Sequence, residues 1–188
     1  MNKETRFSHH PVRVEKDLSV DTEKIDGIIY ISPNLCIFTV GTWADAIASN
    51  VSSKNKTAAD DTSIVYVPVL LPGRIATGKG YKLLSIDLMF SIATAACDAV
   101  SAVLYKDSLK PHGTLNTAAS VTTSYDSDHD SAPKRLAQNT MHRLKLTVTT
   151  PAYLVDNEAH HVELTVDAAA TSVVKFYGAV AYFAENRL

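Results

Sequence analysis

Three stretches of this chain carry residue types at spacings that could do chemistry. In "LLPGRIATGKGYK", residues 70–82, Gly73 precedes Gly78-Lys79 by four residues. That is nearly the loop in which glycine N–H groups and a lysine cradle nucleotide phosphates. The next position, where a Ser or Thr hydroxyl would hold magnesium, is Gly80. A phosphate loop must also open a helix, whose N-terminus faces the anion, yet "YKLLSIDLMFSI" alternates with the period of a strand. The spacing therefore reads as a glycine-rich connection into a strand, not as a nucleotide site.

The second stretch is "YDSDHDSAPK", where Asp126, Asp128 and Asp130 stand at alternate positions like the first ligands of a calcium loop. Such a loop needs Gly at its sixth position and Glu at its twelfth, and this one has Ser131 and Ala137. We read it as a solvated acidic loop, with Tyr125, Asp126, Asp128 and Asp130 as the residues placed to meet a ligand or partner. The third is the histidines. His160 and His161 are adjacent in an alternating stretch and point to opposite faces, whereas chelation needs convergence, and His9-His10 sit beside a proline near the start. No Gly-x-Ser-x-Gly elbow is present, and the Ser, His and Asp residues of 124–131 are too close in sequence to form a triad. The sequence thus assigns no catalytic residue, no cofactor and no metal, and the chain is expected not to be an enzyme. Cys36 and Cys97, the only cysteines, lie in apolar runs and read as buried thiols. Trp43, Tyr125 and Tyr153 are single aromatics at element ends and read as core caps rather than stacking platforms.

The elements that would position these residues are strands. At 188 residues, 46% hydrophobic and 20% charged, the chain has one domain's worth of core. With 18 basic against 20 acidic residues it has no charge excess to attract nucleic acid. The first twenty residues lack the apolar core of a signal peptide, and no apolar run reaches the roughly 18 residues of a membrane helix. Residues 1–24 hold five basic and five acidic residues without an apolar period and read as an arm. From Ile25 to Leu188 apolar runs alternate with turn signals. "IDGIIYI" and "LCIFTV" are the first two strands, "TWADAIASN" is a short helix candidate capped by Thr42 with Asp45, and "NVSSKNKTAADDTS" is an exposed loop before "SIVYVPVLL". Asn50 and Asn55 complete glycosylation sequons there, which count only in a secreted chain.

In "KLLSIDLMFSI" the buried set is Leu84, Ile86, Leu88, Phe90 and Ile92. "AVSAVLY", "HRLKLTVTT" and "HVELTVD" repeat the period, and the final "SVVKFYGAVAYF" is apolar on both faces, as a central strand is. About eight strands with no long helix define an all-β antiparallel sandwich of jelly-roll type, with a roughly 30-residue loop from Lys110 to Asn139 that is long enough to be functional.

The order "LLPGRIATGKGYKLLSIDLMFSI", "AVSAVLYK", a long loop, "RLKLTVTTPAYLVDNEAHHVELTV" and "VVKFYGAVAYF" resembles jelly-roll sandwich modules in virion proteins of tailed bacteriophages, across residues 63–188. The resemblance rests on a Pro-Gly before an alternating strand, an Asp-Asn turn before the penultimate strand and an aliphatic-aromatic final strand. It implies a structural component of the virion, such as a capsid decoration protein, assembling as a homotrimer and touching a major capsid or tail protein, with no nucleic acid and no membrane. The alternative it leaves is a lectin-like tail or fibre module whose partner is a host-surface glycan.

Overall fold

Alternating apolar residues decide the architecture, because a strand that buries every second side chain must find a second sheet to bury them against. The computed structural model describes residues 25–48, 51–71, 80–108, 117–138, 140–154 and 157–185. The strands are β1 (Gly27–Ile31), β2 (Ile37–Thr39), β3 (Trp43–Ala48), β4 (Val51–Lys56), β5 (Asp61–Val69), β6 (Tyr81–Ala93), β7 (Ala99–Ser108), β8 (Thr117–Ser120) and β9 (Thr123–Tyr125). One helical turn, α1 (Ala132–Arg135), precedes β10 (Thr140–Val148), β11 (Glu158–Ala168) and β12 (Val173–Glu185).

Two antiparallel sheets form a β-sandwich. One runs β3-β4-β12-β6-β10-β9 with β1 beside β12, and the other runs β2-β5-β11-β7-β8. The pairs β4 with β12, β5 with β11, β6 with β10 and β7 with β8 are nested, as in one long hairpin wrapped over two layers. That nesting is the jelly roll. Its eight strands are joined by four more, β1, β2, β3 and β9, which widen the sheets.

The core lies between the layers. Phe90 and Ile92 of β6, Leu144 and Leu146 of β10, and Phe176 of β12 face Val65, Val67, Leu104 and Leu164 of the other sheet, all at most 1% exposed. Burying each such side chain contributes about 1.5–3 kcal/mol. β12 pairs with β6 along one side and with β4 and β1 along the other, so it is an interior strand of its sheet.

Several expectations are corrected. The helix expected over residues 42–50 is not formed by the described ones: Trp43–Ala48 is strand β3, since it finds β4 as a partner and four residues of small or aromatic character gain more from pairing than from one isolated turn. The polar stretch expected as a loop contains β4, which is paired on one side with β3 and on the other with β12, so ladder pairing rather than an apolar pattern carries its Ser, Asn and Lys residues. The 110–139 connection contains β8, β9 and α1. In β6 the alternation slips at a register shift against Tyr182/Phe183, so Leu83 enters the core at 1% exposure and Leu84 is only half-buried. The 1–24 arm lies outside the described residues, as do Gly73 and Gly78-Lys79. The element that follows Gly80 is strand β6, and Gly80 itself takes φ +95°, a turn conformation suited to glycine.

Candidate functional site

The residues singled out in the acidic loop are held largely by the loop's own architecture. The Tyr125 hydroxyl donates to the Ala102 carbonyl at 3.0 Å and accepts from the Ala102 N–H at 2.9 Å, while the Arg135 guanidinium sits 4.6 Å from its ring centre. Asp126 accepts from the Lys145 N–H at 2.7 Å, the Asp128 N–H at 3.0 Å and His129 Nδ1 at 2.8 Å. Those donors hold its carboxyl below the ordinary range against the opposing effect of burial. Asp128 and Asp130 are exposed, and Asp130 pairs with Lys134 at 2.9 Å. Among the described residues no three His, Cys, Asp or Glu side chains converge as metal ligands.

Behind Asp126 runs a chain of imidazoles. His129 Nε2 lies 3.3 Å from His142 Nδ1, and His142 Nε2 lies 2.9 Å from the Ala137 carbonyl. A carbonyl only accepts, so His142 Nε2 carries its proton, and in the neutral ring Nδ1 must then accept from His129. The Asp126 carboxylate also only accepts, so every nitrogen has a role when His129 donates from both. Burial, reinforced by the neighbouring His129, pushes His142 below the usual histidine range, against the bond to Ala137. His142 stacks on Phe90 at 4.7 Å between centroids, which locks the chain onto the core.

The remaining sequence candidates are structural. Trp43 packs on Phe38 at 4.6 Å and donates from Nε1 to the Val40 carbonyl. Both cysteines are free, and burial pushes Cys36 up to about 12 and Cys97 up to about 11, which leaves neither as a thiolate nucleophile at neutral pH. His160 and His161 face opposite ways: His160 is buried, and His161 stacks on Tyr105 and pairs with Asp107 at 2.7 Å.

A larger concave feature lies elsewhere, on the outer face of the larger sheet. A groove of about 610 Å³ is lined from six strands, β3 among them through Ala46. Tyr30 of β1, Asn55 of β4, Met89 of β6, Met141 and Arg143 of β10, and Lys175 and Tyr177 of β12 line it. Its position follows from a β-bulge. Phe176 pairs with Phe90 and Gly178 with Met89, so Tyr177 is the extra residue. Gly178 takes φ +112°, and a Cβ there would lie 2.4 Å from the Ile31 carbonyl oxygen. Only glycine lets β1 come this close, and the approach lets the Tyr30 hydroxyl donate to the Tyr177 carbonyl at 2.8 Å. Nearby, Arg143 Nε donates to Asp87 Oδ2 at 2.7 Å and Nη2 to the Tyr182 hydroxyl at 2.6 Å. Asp87 thereby raises the guanidinium pKa and fixes Arg143 on the groove.

Sequence reading missed this groove because its residues come from six strands. One signal was present: "KFYGAV" sets Tyr177 beside a glycine inside an otherwise aliphatic strand, the mark of a bulge.

The chain matches no protein-family profile and no curated protein. Among solved structures it is similar to a chain described in a study of the promiscuous specificity of carbohydrate-binding modules of the β-sandwich superfamily, at 10% identity and TM-score 0.46 over 80% of this chain. It is also similar to TmCBM61 in complex with β-1,4-galactotriose, at 9% identity and TM-score 0.36 over 72% of this chain. This chain spans 56% of the first and 71% of the second.

Proposed function

We propose that this chain is a non-catalytic binding module that takes a glycan in the groove over the outer face of the larger sheet. The observation that carries the reading is the groove itself: about 610 Å³ of concave surface lined by two tyrosines, two methionines and the amide and cationic groups of Asn55, Arg143 and Lys175. A sugar ring has an apolar C–H face and a rim of hydroxyls. Tyrosine rings and methionine stems meet the first, and a few fixed polar groups meet the second. Strands spaced about 4.8 Å apart make a groove that runs from β3 across to β10 long enough for several sugar units.

The test is a glycan array followed by calorimetric titration of the strongest binder. Micromolar to millimolar binding is expected, lost in Tyr177→Ala and weakened in Asn55→Ala. A folded protein that binds nothing on a broad array would remove the reading.

A second reading, a structural component of a phage virion that assembles with copies of itself, draws on exposed apolar side chains. Ile28 is 62% exposed and Met141 59%, and both lie on the outer face. The edge of β3 away from β4 pairs with no other described strand and is open to β-sheet extension. Light scattering on the full chain decides this one, and a strictly monomeric mass would count against it. The two roles are compatible where assembly runs through the open edge of β3 and leaves the groove uncovered.

A further inference from the structure

At one end of the sandwich, between the two layers, lies a second and smaller cavity of about 130 Å³. Lys106 of β7 and His160 of β11, directly paired in register, face it from one sheet, and Leu83 and Val148 face it from the other. Lys106 Nζ pairs with Glu158 Oε1 at 2.8 Å. His160 is 8% exposed, and its Nδ1 has no hydrogen-bond partner among the described residues. A buried nitrogen left unpaired is costly, and native proteins retain such groups where a ligand or an ordered molecule completes them. Lys106, with its side chain 38% exposed, and Tyr153, 37% exposed, leave the cavity reachable from solvent.

We propose that this end cavity is a binding site for a small uncharged vicinal-diol compound, held by His160 Nδ1 and the Lys106–Glu158 pair. Charge selects the class. An anion would meet Glu158 and a cation would meet Lys106, whereas a hydroxyl donates to one and accepts from the other. His160 is held in its neutral form, by burial first and by Lys106 second, so it adds a hydrogen-bonding nitrogen and no charge. Size narrows it further. A cavity of about 150 Å³ holds a six-heavy-atom ring, so this one fits a three-carbon polyol or the diol edge of one sugar residue. The site is separate from the sheet groove and does not depend on it.

Long-range ¹H–¹⁵N spectra of the histidine rings, recorded while the full chain is titrated with glycerol, free monosaccharides or sodium acetate, test the assignment. The expected result is a saturable shift of the His160 nitrogens with glycerol or a monosaccharide at millimolar concentration, and none with acetate. Whether glycerol or a monosaccharide binds more tightly identifies a free polyol or a sugar residue as the source. His160→Leu should abolish saturation in the resonances of the remaining cavity residues and should melt no lower than the parent, because it removes an unpaired polar atom. His160→Asn, whose amide reaches the Nδ1 position, should restore binding to within about tenfold. Tyr177→Ala should leave the titration unchanged. Equal binding by His160→Leu, a response to acetate in place of the diols, or no saturable shift up to about 100 mM would overturn the proposal.

Discussion

At the scale of single residues, Lys56, the last residue of β4, shows what a sandwich interior can accommodate. Its side chain faces inward and is 1% exposed, with Nζ 2.5 Å from Asp61 Oδ1 and bonded to the carbonyls of Thr57 and Ala59. An ammonium out of water is tolerable only while its carboxylate stays, since losing one partner leaves an uncompensated charge. Asp61→Ala is therefore expected to destabilise the protein by about 3–5 kcal/mol, whereas Lys56→Met combined with Asp61→Asn should come within about 1 kcal/mol of the parent. Urea unfolding of the three proteins measures both. A cost below about 1 kcal/mol for Asp61→Ala would mean that Lys56 reaches solvent.

At the scale of elements, the bulge in β12 and the imidazole chain beneath the β9–β10 connection each make one residue decisive. Gly178→Ala puts a Cβ against the Ile31 carbonyl at a φ that L side chains avoid. It should cost at least about 2 kcal/mol and release β1 from β12, read as faster hydrogen exchange at Ile29 and Ile31. The histidines set a pH dependence. His142 and His160 both have pKa values below the ordinary one, by burial first. As pH falls past about 6.5 the unfolded chain takes up these protons before the folded one does, so stability present at neutral pH is lost on acidification. Asp126 follows the same sign in a lower window. Its lowered pKa keeps its contribution intact through this window and loses it only below the usual carboxylate range. Melting temperature should be level from pH 7 to 8 and fall from about 6.5 downward, with part of the slope gone in His160→Asn; a flat profile from pH 7 to 5 would refute this. How much was legible in sequence follows the same division. Period-two runs such as "HRLKLTVTT" and "HVELTVD" gave their strands and their buried faces, because one face of each meets the opposite sheet whatever the register. β3, an edge strand, and β4, held between β3 and β12, were missed because neither alternates apolar with polar residues, and Leu83 displaced Leu84 because a bulge depends on the partner strand. The groove residues were invisible for that reason too: Tyr30 and Tyr177 come together only through the pairing of β1 with β12.

At the scale of the whole molecule, the question is what the outer face of the larger sheet meets. The formal charge is −2, and of the two cations that line the groove Arg143 is paired with Asp87, while Lys175 adds a second cationic group there. A glycan and a second copy of the chain cannot both fill this face, and the two leave different thermodynamic traces. A ligand bound only by the folded protein raises its stability by about 2.7 kcal/mol at a hundredfold excess over Kd, whatever the protein concentration. A subunit contact instead makes the melting temperature rise with protein concentration. The exposed Met141 belongs to both outcomes and separates them. If the groove is a glycan site, Met141→Lys should abolish the ligand-induced rise and leave the molar mass unchanged, with any self-association running through the open edge of β3. Scanning calorimetry at two protein concentrations, with and without the best glycan from the array, checks this. A ligand-free melting temperature that climbs with concentration in the parent but not in Met141→Lys would assign the face to assembly instead.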